Sequence, residues 1–280
     1  PLFMAIKASE RALEGNKDKI HAVIVSTSFP TGENLSKKLQ EKFGFSGFHL
    51  DVHAACSGVG VSLAYLKKCE RQFTGKKILF VTTEKYSPYL QSLREEGGST
   101  KDPSLSQTLF SDGATACTFE YGKDLKVLSA KRFVFPEDTK DYIKMPINKS
   151  LFVAPYLEIP IPYPSSGKFE QDGSRVYKLI RNNVPNLIRE SIGKAGLTPA
   201  DIKMVFLHQG SGHVVVGVNG QLPEFQGRIL MDYQDGNNSS GSTPKSIMRA
   251  IREGGLSKHD IVNLTVFGAG LIAISTTLQL

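Results

Sequence analysis

The sequence is short of several things, and each shortage removes a class of protein. Cysteine occurs only at Cys56, Cys69 and Cys117. An odd, widely spaced set builds no disulfide framework and fits free thiols in a reducing cytoplasm. No apolar run approaches the ~18 residues that cross a bilayer, so no membrane span is expected. The opening Pro1-Leu-Phe-Met-Ala-Ile6 has no basic segment ahead of an apolar one, so no signal peptide is expected either. Dense basic clusters with interleaved aromatics are also missing, which argues against nucleic acid. The formal charge is nevertheless +7 and the pI about 9.2. An acidic partner is therefore expected, either an anionic cofactor or an acidic carrier protein.

What is present suits a soluble globular protein. The 280 residues are 40% apolar and 22% charged, enough to bury a full core in one large α/β unit or two halves. Helices are expected at Leu2–Leu13, at 34–43, from just after Cys56 to Phe73, and at 173–195. Strands are expected at His21–Ser26, 48–52, 77–82, 114–120 and Met204–Leu207. Ile78-Leu-Phe-Val81 is a continuous apolar run of the kind buried in parallel sheets. Residues 136–168, rich in Pro, Tyr and Ser, read as an irregular insertion and a candidate lid.

The second half repeats the first. Residues 8–20 form a helix and polar turn ending in Ile20, followed by the strand Ala-Val-Ile-Val-Ser. Residues 190–202 do the same, ending in Ile202 and followed by Lys-Met-Val-Phe-Leu. Downstream, Cys56-Ser-Gly and Ser239-Ser-Gly each open a helix that leads to an apolar strand. A repeat this long is no solenoid. It indicates two similar α/β halves, 1–122 and 123–280, related by a pseudo-twofold axis that brings equivalent elbows together. The strand expected at 126–133 has no counterpart before Pro1, so a preceding N-terminal portion is expected.

Three polar residues stand at the ends of strands. Asp51-Val-His-Ala-Ala-Cys56 runs from a strand into a helix starting near Gly58. Free N–H groups and the helix dipole there favour a thiolate, and a nucleophile beside an oxyanion site suits acyl transfer. His208 ends the strand Met204–Leu207, and Asn237 lies in the small polar run 235–244. Phe267-Gly-Ala-Gly270 forms a further loop whose backbone can approach a substrate closely. Taken singly, each residue is more simply a core cysteine, a structural histidine or a turn. All three at strand ends, where open α/β sheets place their sites, favour function. A metal site at His49, His53 and Cys56 is rejected, because two imidazoles four residues apart on a strand lie roughly 13 Å apart at ~3.3 Å per residue. Cys69 and Cys117 are expected in packing, and Asp112 in a turn.

The set Asp51–Gly58, Phe110-Ser-Asp-Gly-Ala, Leu207-His-Gln, Gly236-Asn-Asn-Ser-Ser-Gly-Ser and Phe267-Gly-Ala-Gly resembles β-ketoacyl-acyl carrier protein synthase III and its relatives among the thiolase-like condensing enzymes. The resemblance runs from Ile6 to the C-terminus and includes the helix motif Gly173-Ser-Arg-Val-Tyr-Lys178. It implies a thiolase fold in αβαβα layers, Cys56 as acylated nucleophile with His208 and Asn237, and an oxyanion hole from the Cys56 and Ala269 amides. It also implies substrate contacts from Phe267, Gly268, Ser211 and Lys178. Neither metal nor resident cofactor is implied, coenzyme A thioester being the substrate. Partners would be acyl-CoA or acyl carrier protein and a second condensing-enzyme subunit, in a homodimer or heterodimer. Gly210, Ser211 and His213 replace the usual small residue, Asn and Arg after the His-Gln pair, and Ala269 replaces a glycine.

The expected activity is transfer of an acyl group to Cys56 and decarboxylative condensation with a malonyl-type thioester, in fatty-acid or polyketide biosynthesis. Acyl transfer to an alcohol or amine, or an impaired partner subunit, are the alternatives. A papain-like hydrolase shares the Cys-His-Asn order, but buried parallel strands in paired halves argue against it.

Overall fold

The computed structural model describes residues 1–14, 19–28, 33–88, 90, 109–144, 151–152, 160–161, 170–232, 236–269 and 271–280. Strands β1 (Ala22–Ser26), β2 (Phe48–Val52), β3 (Lys77–Glu84) and β4 (Gly113–Glu120) form one sheet in the order β2-β1-β3-β4. Then come β5 (Lys126–Val134) and the short pairs β6 (Ile143–Lys144) with β9 (Glu170–Gln171), and β7 (Leu151–Phe152) with β8 (Pro160–Ile161). Strands β10 (Met204–Leu207), β11 (Ile229–Leu230), β12 (Ile261–Gly268) and β13 (Ile272–Gln279) join β5 in a second sheet, β11-β10-β12-β13-β5. The two orders match strand for strand, with β5 added at the edge of the second sheet.

The period-2 alternation of the strands sorts their side chains into three separate cores. In the first sheet Ala22, Ile24, Ile78 and Phe80 face the centre of the molecule, while Val23, Val25, Leu79 and Val81 face outward. In the second sheet Val262, Leu264, Val266 and Ile274 face the centre, and Val205, Leu207, Phe267 and Ala273 face the other way. Helices α1 (Leu2–Leu13) and α2 (Leu35–Phe43) cover the outer face of the first sheet through Ala5, Leu35 and Leu39. Helix α3 (Gly58–Lys68), continued after a break at Cys69 by α4 (Glu70–Phe73), lies between the sheets. It is buried nearly all round, as a helix in that layer must be. A Cβ on its Gly60 would come within 2.5 Å of Val266, so glycine permits the close approach. Helices α5 (Gly173–Lys194) and α6 (Gly212–Asn219) cover the outer face of the second sheet, and α7 (Ser242–Arg252) packs on β10. The result is the five-layered αβαβα arrangement.

Local signals set the ends of these elements. The Asn34 side chain accepts from the Lys37 N–H at 2.8 Å, and Asp51, from β2, accepts from Leu35 and Ser36 N–H at 2.7 and 2.8 Å. A carboxylate at a helix N-terminus is favoured by the dipole, so the aspartate that begins the cysteine motif serves α2. Of the insertion expected at 136–168, the helical turn Glu137–Tyr142 and β6 to β8 are described. Its other residues, and the lid assigned to them, lie outside the described residues. Among the described residues no helix is long and apolar enough to cross a membrane.

Candidate active site

The chain passes from β2 to α3 through a tight 3-10 turn, Ala55–Ser57, with Ala55 at φ +43°. A side chain rarely adopts that region, and its presence at a buried turn marks local strain. The turn lifts Cys56 into a cavity of about 480 Å³ between the two halves. The second half reaches the same cavity with Asn237, just ahead of a matching turn, Ser239–Gly241, in which Ser239 lies at φ +51°.

Cys56, His208 and Asn237 all line this cavity, with Phe267, Gly268, Ala269 and Ser211. His208 is 2% exposed, its ring meeting Phe267 edge to face at 5.2 Å and its Nδ1 buried without a hydrogen-bond partner. Asn237 is fastened on both backbone sides: its N–H donates to Leu109 O at 2.9 Å and its carbonyl accepts from Ser111 N–H at 3.1 Å. Its side-chain Oδ1 accepts from Ser239 N–H at 2.8 Å. That bond fixes the amide orientation and leaves the Nδ2 donor for another acceptor. A Cβ on Gly268 would stand 3.0 Å from the Cys56 amide nitrogen, so glycine there keeps the space before that N–H clear. The remaining wall is mostly apolar, with Phe110, Ile143, Val176, Ile180 and Val214 among its residues.

One site residue stands apart from the others, and one expectation needs correction. Lys178 does not line the cavity; it sits on the exposed face of α5, while Val176, Tyr177 and Ile180 of the same helix turn inward. Helical periodicity separates neighbours that a linear motif groups together. The thiol is also not held as a thiolate. Burial pushes Cys56 up to about 12, the nearby Glu84 adding to the rise, against a hydrogen bond from Ser239 Oγ at 3.3 Å. The free N–H groups of the turn do not outweigh the loss of water. Burial likewise pushes His208 down to about 3. The resting site therefore holds a neutral thiol and a neutral imidazole.

Sequence reasoning missed the polar residues behind the cysteine. Glu84 ends β3 with its carboxylate fully buried, bonded by Ser28 and Ser240, and Ser239 bonds Ser28 in turn. Tyr86 stacks on Phe110 with ring centroids 4.6 Å apart, and its backbone N–H donates to Asp112 at 2.6 Å. A charged residue closing the apolar run Ile78-Leu-Phe-Val-Thr-Thr-Glu84 was the available signal. No group of three or more ligating side chains that could hold a metal ion occurs among the described residues.

Two mixed sheets, each with a parallel centre and antiparallel strands toward one edge, enclose buried helices and are covered by outer ones, which makes this a thiolase-fold protein. The family model for 3-oxoacyl-[acyl-carrier-protein] synthase III matches residues 50–132, and that for its C-terminal part matches residues 192–280. The chain is 24% identical over 278 residues to β-ketoacyl-[acyl-carrier-protein] synthase III of Aquifex aeolicus, covering 96% of this chain and 81% of that one. It is 27% identical over 282 residues to β-ketoacyl-[acyl-carrier-protein] synthase III 5 of Streptomyces coelicolor, covering 98% and 81%. The β-ketoacyl-[acyl carrier protein] synthase III structure from Thermus thermophilus superposes with a TM-score of 0.80 at 24% identity, over 100% of this chain and 84% of that one. The priming β-ketosynthase of the R1128 polyketide pathway gives 0.77 at 25% identity, over 100% and 81%. The chain belongs to the β-ketoacyl-acyl carrier protein synthase III-like family of condensing enzymes and is an acyltransferase.

Proposed function

We propose that this chain forms an acyl-enzyme at Cys56 and condenses it with a malonyl-type thioester, with loss of carbon dioxide. The convergence of Cys56, His208 and Asn237 on one mostly apolar cavity carries this reading. An acyl thioester enters, Sγ attacks its carbonyl carbon, and the Cys56 and Ala269 N–H groups receive the oxyanion. Gly268 leaves room for that charge. The carrier thiol departs and a malonyl-type thioester takes its place. The neutral imidazole of His208 and the Asn237 Nδ2 donate to its carbonyl oxygen as enolate charge develops, and the carbanion attacks the acyl carbon on Cys56. Donors preorganised in this way contribute about 3 kcal/mol each. A neutral imidazole suits the task, since it presents a donor without needing a charge in a dry pocket.

Coenzyme A or acyl carrier protein would bring the acyl groups, with no resident cofactor, in a cytoplasmic dimer. Intact-protein mass spectrometry against acyl-CoA and acyl-carrier thioesters tests the first half-reaction. The wild type should gain one acyl mass and Cys56→Ala none; acylation of the Ala variant would refute the assignment. Release of carbon dioxide and a β-ketoacyl product from malonyl thioester tests the second.

A further inference from the structure

A hydrogen-bonded path leads from the cysteine sulfur to a buried carboxylate that the condensation scheme leaves unused. Ser239 Oγ lies 3.3 Å from Cys56 Sγ, Ser28 Oγ lies 2.6 Å from Ser239 Oγ, and Glu84 Oε1 lies 3.0 Å from Ser28 Oγ. Ser28 N–H donates to both carboxylate oxygens at 3.1 and 3.0 Å, and Ser240 Oγ donates to Oε1 at 2.9 Å. The Tyr86 hydroxyl donates to Ser28 Oγ at 3.1 Å.

A serine hydroxyl donates once and accepts twice, and this path satisfies that rule in two polarities. In one, the thiol donates to Ser239, Ser239 to Ser28, and Ser28 to the Glu84 carboxylate. In the other, the Glu84 carboxyl group donates to Ser28, Ser28 to Ser239, and Ser239 to a thiolate. Tyr86 donates to Ser28 in both. Exchanging the two moves one proton from sulfur to carboxylate while every heavy atom stays in place.

We propose, on the acyl-enzyme reading above, that Glu84 takes up the Cys56 thiol proton through Ser239 and Ser28 and later returns it. Glu84 touches no reacting atom; it is a positioning residue that acts through two hydroxyls. During acylation the Sγ–C bond forms, the carrier's C–S bond breaks, the thiol proton ends on Glu84, and the departing thiolate is protonated by water. During condensation the malonyl-type thioester loses carbon dioxide, the new C–C bond forms, the Sγ–C bond breaks, and Glu84 gives its proton back to sulfur. Burial raises Glu84 to about 7, opposed by its bonds from Ser28 and Ser240. It is thus an acceptor matched to neutral pH, whereas the thiol needs one and His208 is a poor one. Among the described residues, the titratable groups facing Glu84 are Cys56, from the elbow, and Tyr86, which burial raises well above its ordinary value and keeps neutral.

The test is the rate of Cys56 alkylation by iodoacetamide and of acylation by acyl-CoA, from pH 5.5 to 9, in wild type, Glu84→Gln and Ser239→Ala. A purely electrostatic role gives one sign: the Glu84 charge raises the thiol's pKa, so removing it speeds alkylation. The relay gives the other. Both variants should react more slowly near neutrality by about 10²–10⁴-fold and lose the wild-type rise through pH 7. Equal or faster reaction of Glu84→Gln overturns the proposal. If that variant does not fold, a wild-type rate and profile in Ser239→Ala overturns it. Wild-type protein that alkylates with the pH 7 limb but accepts no acyl group would sink the acyl-enzyme reading and leave the relay standing.

Discussion

The two elbows of this molecule are built alike and used differently. β1 and β3 pair with Ala22 opposite Ile78, and β10 and β12 with Met204 opposite Val262. Counting along the strands makes Glu84 the counterpart of Gly268. The strained residues Ala55 and Ser239 correspond, so Cys56 matches Ser240. At the first elbow a glycine keeps the space before the Cys56 N–H open. At the second, the Ser240 backbone N–H and hydroxyl both serve the carboxylate of Glu84. One elbow awaits a transient anion and the other holds a buried carboxyl group that gains and loses its proton near neutrality. The same backbone device thus supports chemistry where the facing residue has no side chain, and a buried carboxyl group where that side chain is large.

Closing the open elbow should have the largest effect. Gly268→Ala puts a Cβ at 3.0 Å from the Cys56 and Ser57 nitrogens, which should lower kcat by about 10²–10³ and, since the backbone there must give, cost about 1–3 kcal/mol of stability. If turnover survives, the space before the Cys56 N–H is not where the oxyanion sits. His208→Ala and Asn237→Ala should each cost about 10²–10³ in condensation, while single-turnover acylation of Cys56 stays near the wild-type rate. Parallel loss of both half-reactions would remove the division of labour between elbow and donors.

At the occupied elbow the effect is smaller. Ser240→Ala removes a donor that lowers Glu84, so the neutral limb of Cys56 reactivity should move to higher pH. Thermal denaturation against pH separates the two buried groups. Glu84, with an ordinary value of 4.5 and about 7 when folded, keeps a proton the unfolded chain releases. Its contribution is complete below about 4.5 and is lost as pH rises through 7. His208 has an ordinary value of 6.5 and about 3 when folded, so its contribution is present above 6.5 and lost as pH falls toward 3. Glu84→Gln should flatten the decline above pH 4.5, and His208→Asn the decline below 6.5. The smallest effect belongs to Lys178→Ala, which should leave KM and kcat for an acyl-CoA unchanged, because the side chain projects from the exposed face of α5.

Much of this was legible before any coordinates. The continuous apolar strands, the helix at 173–194 and the paired order of elements follow from hydropathy period and length, and the elements fall within a few residues of expectation. Cys56, His208 and Asn237 stood out because each interrupts a strand end. The register of the repeat did not. Matching Cys56-Ser-Gly to Ser239-Ser-Gly is off by one, since the shared feature is a left-handed residue, Ala55 in one half and Ser239 in the other. Lys178 lies apart from the cavity-lining residues of its motif because a motif read along the chain ignores the turn of the helix.

Local patterning, carried by side-chain size and alternation, decided the strands, the layers and the three polar strand ends. Burial and long-range pairing decided the rest: the thiol lies high instead of low, and Ser28, Glu84 and Ser239 join behind it from positions up to 211 residues apart. Desolvation and hydrogen bonding depend on what surrounds a group in space, and no window of sequence contains those neighbours.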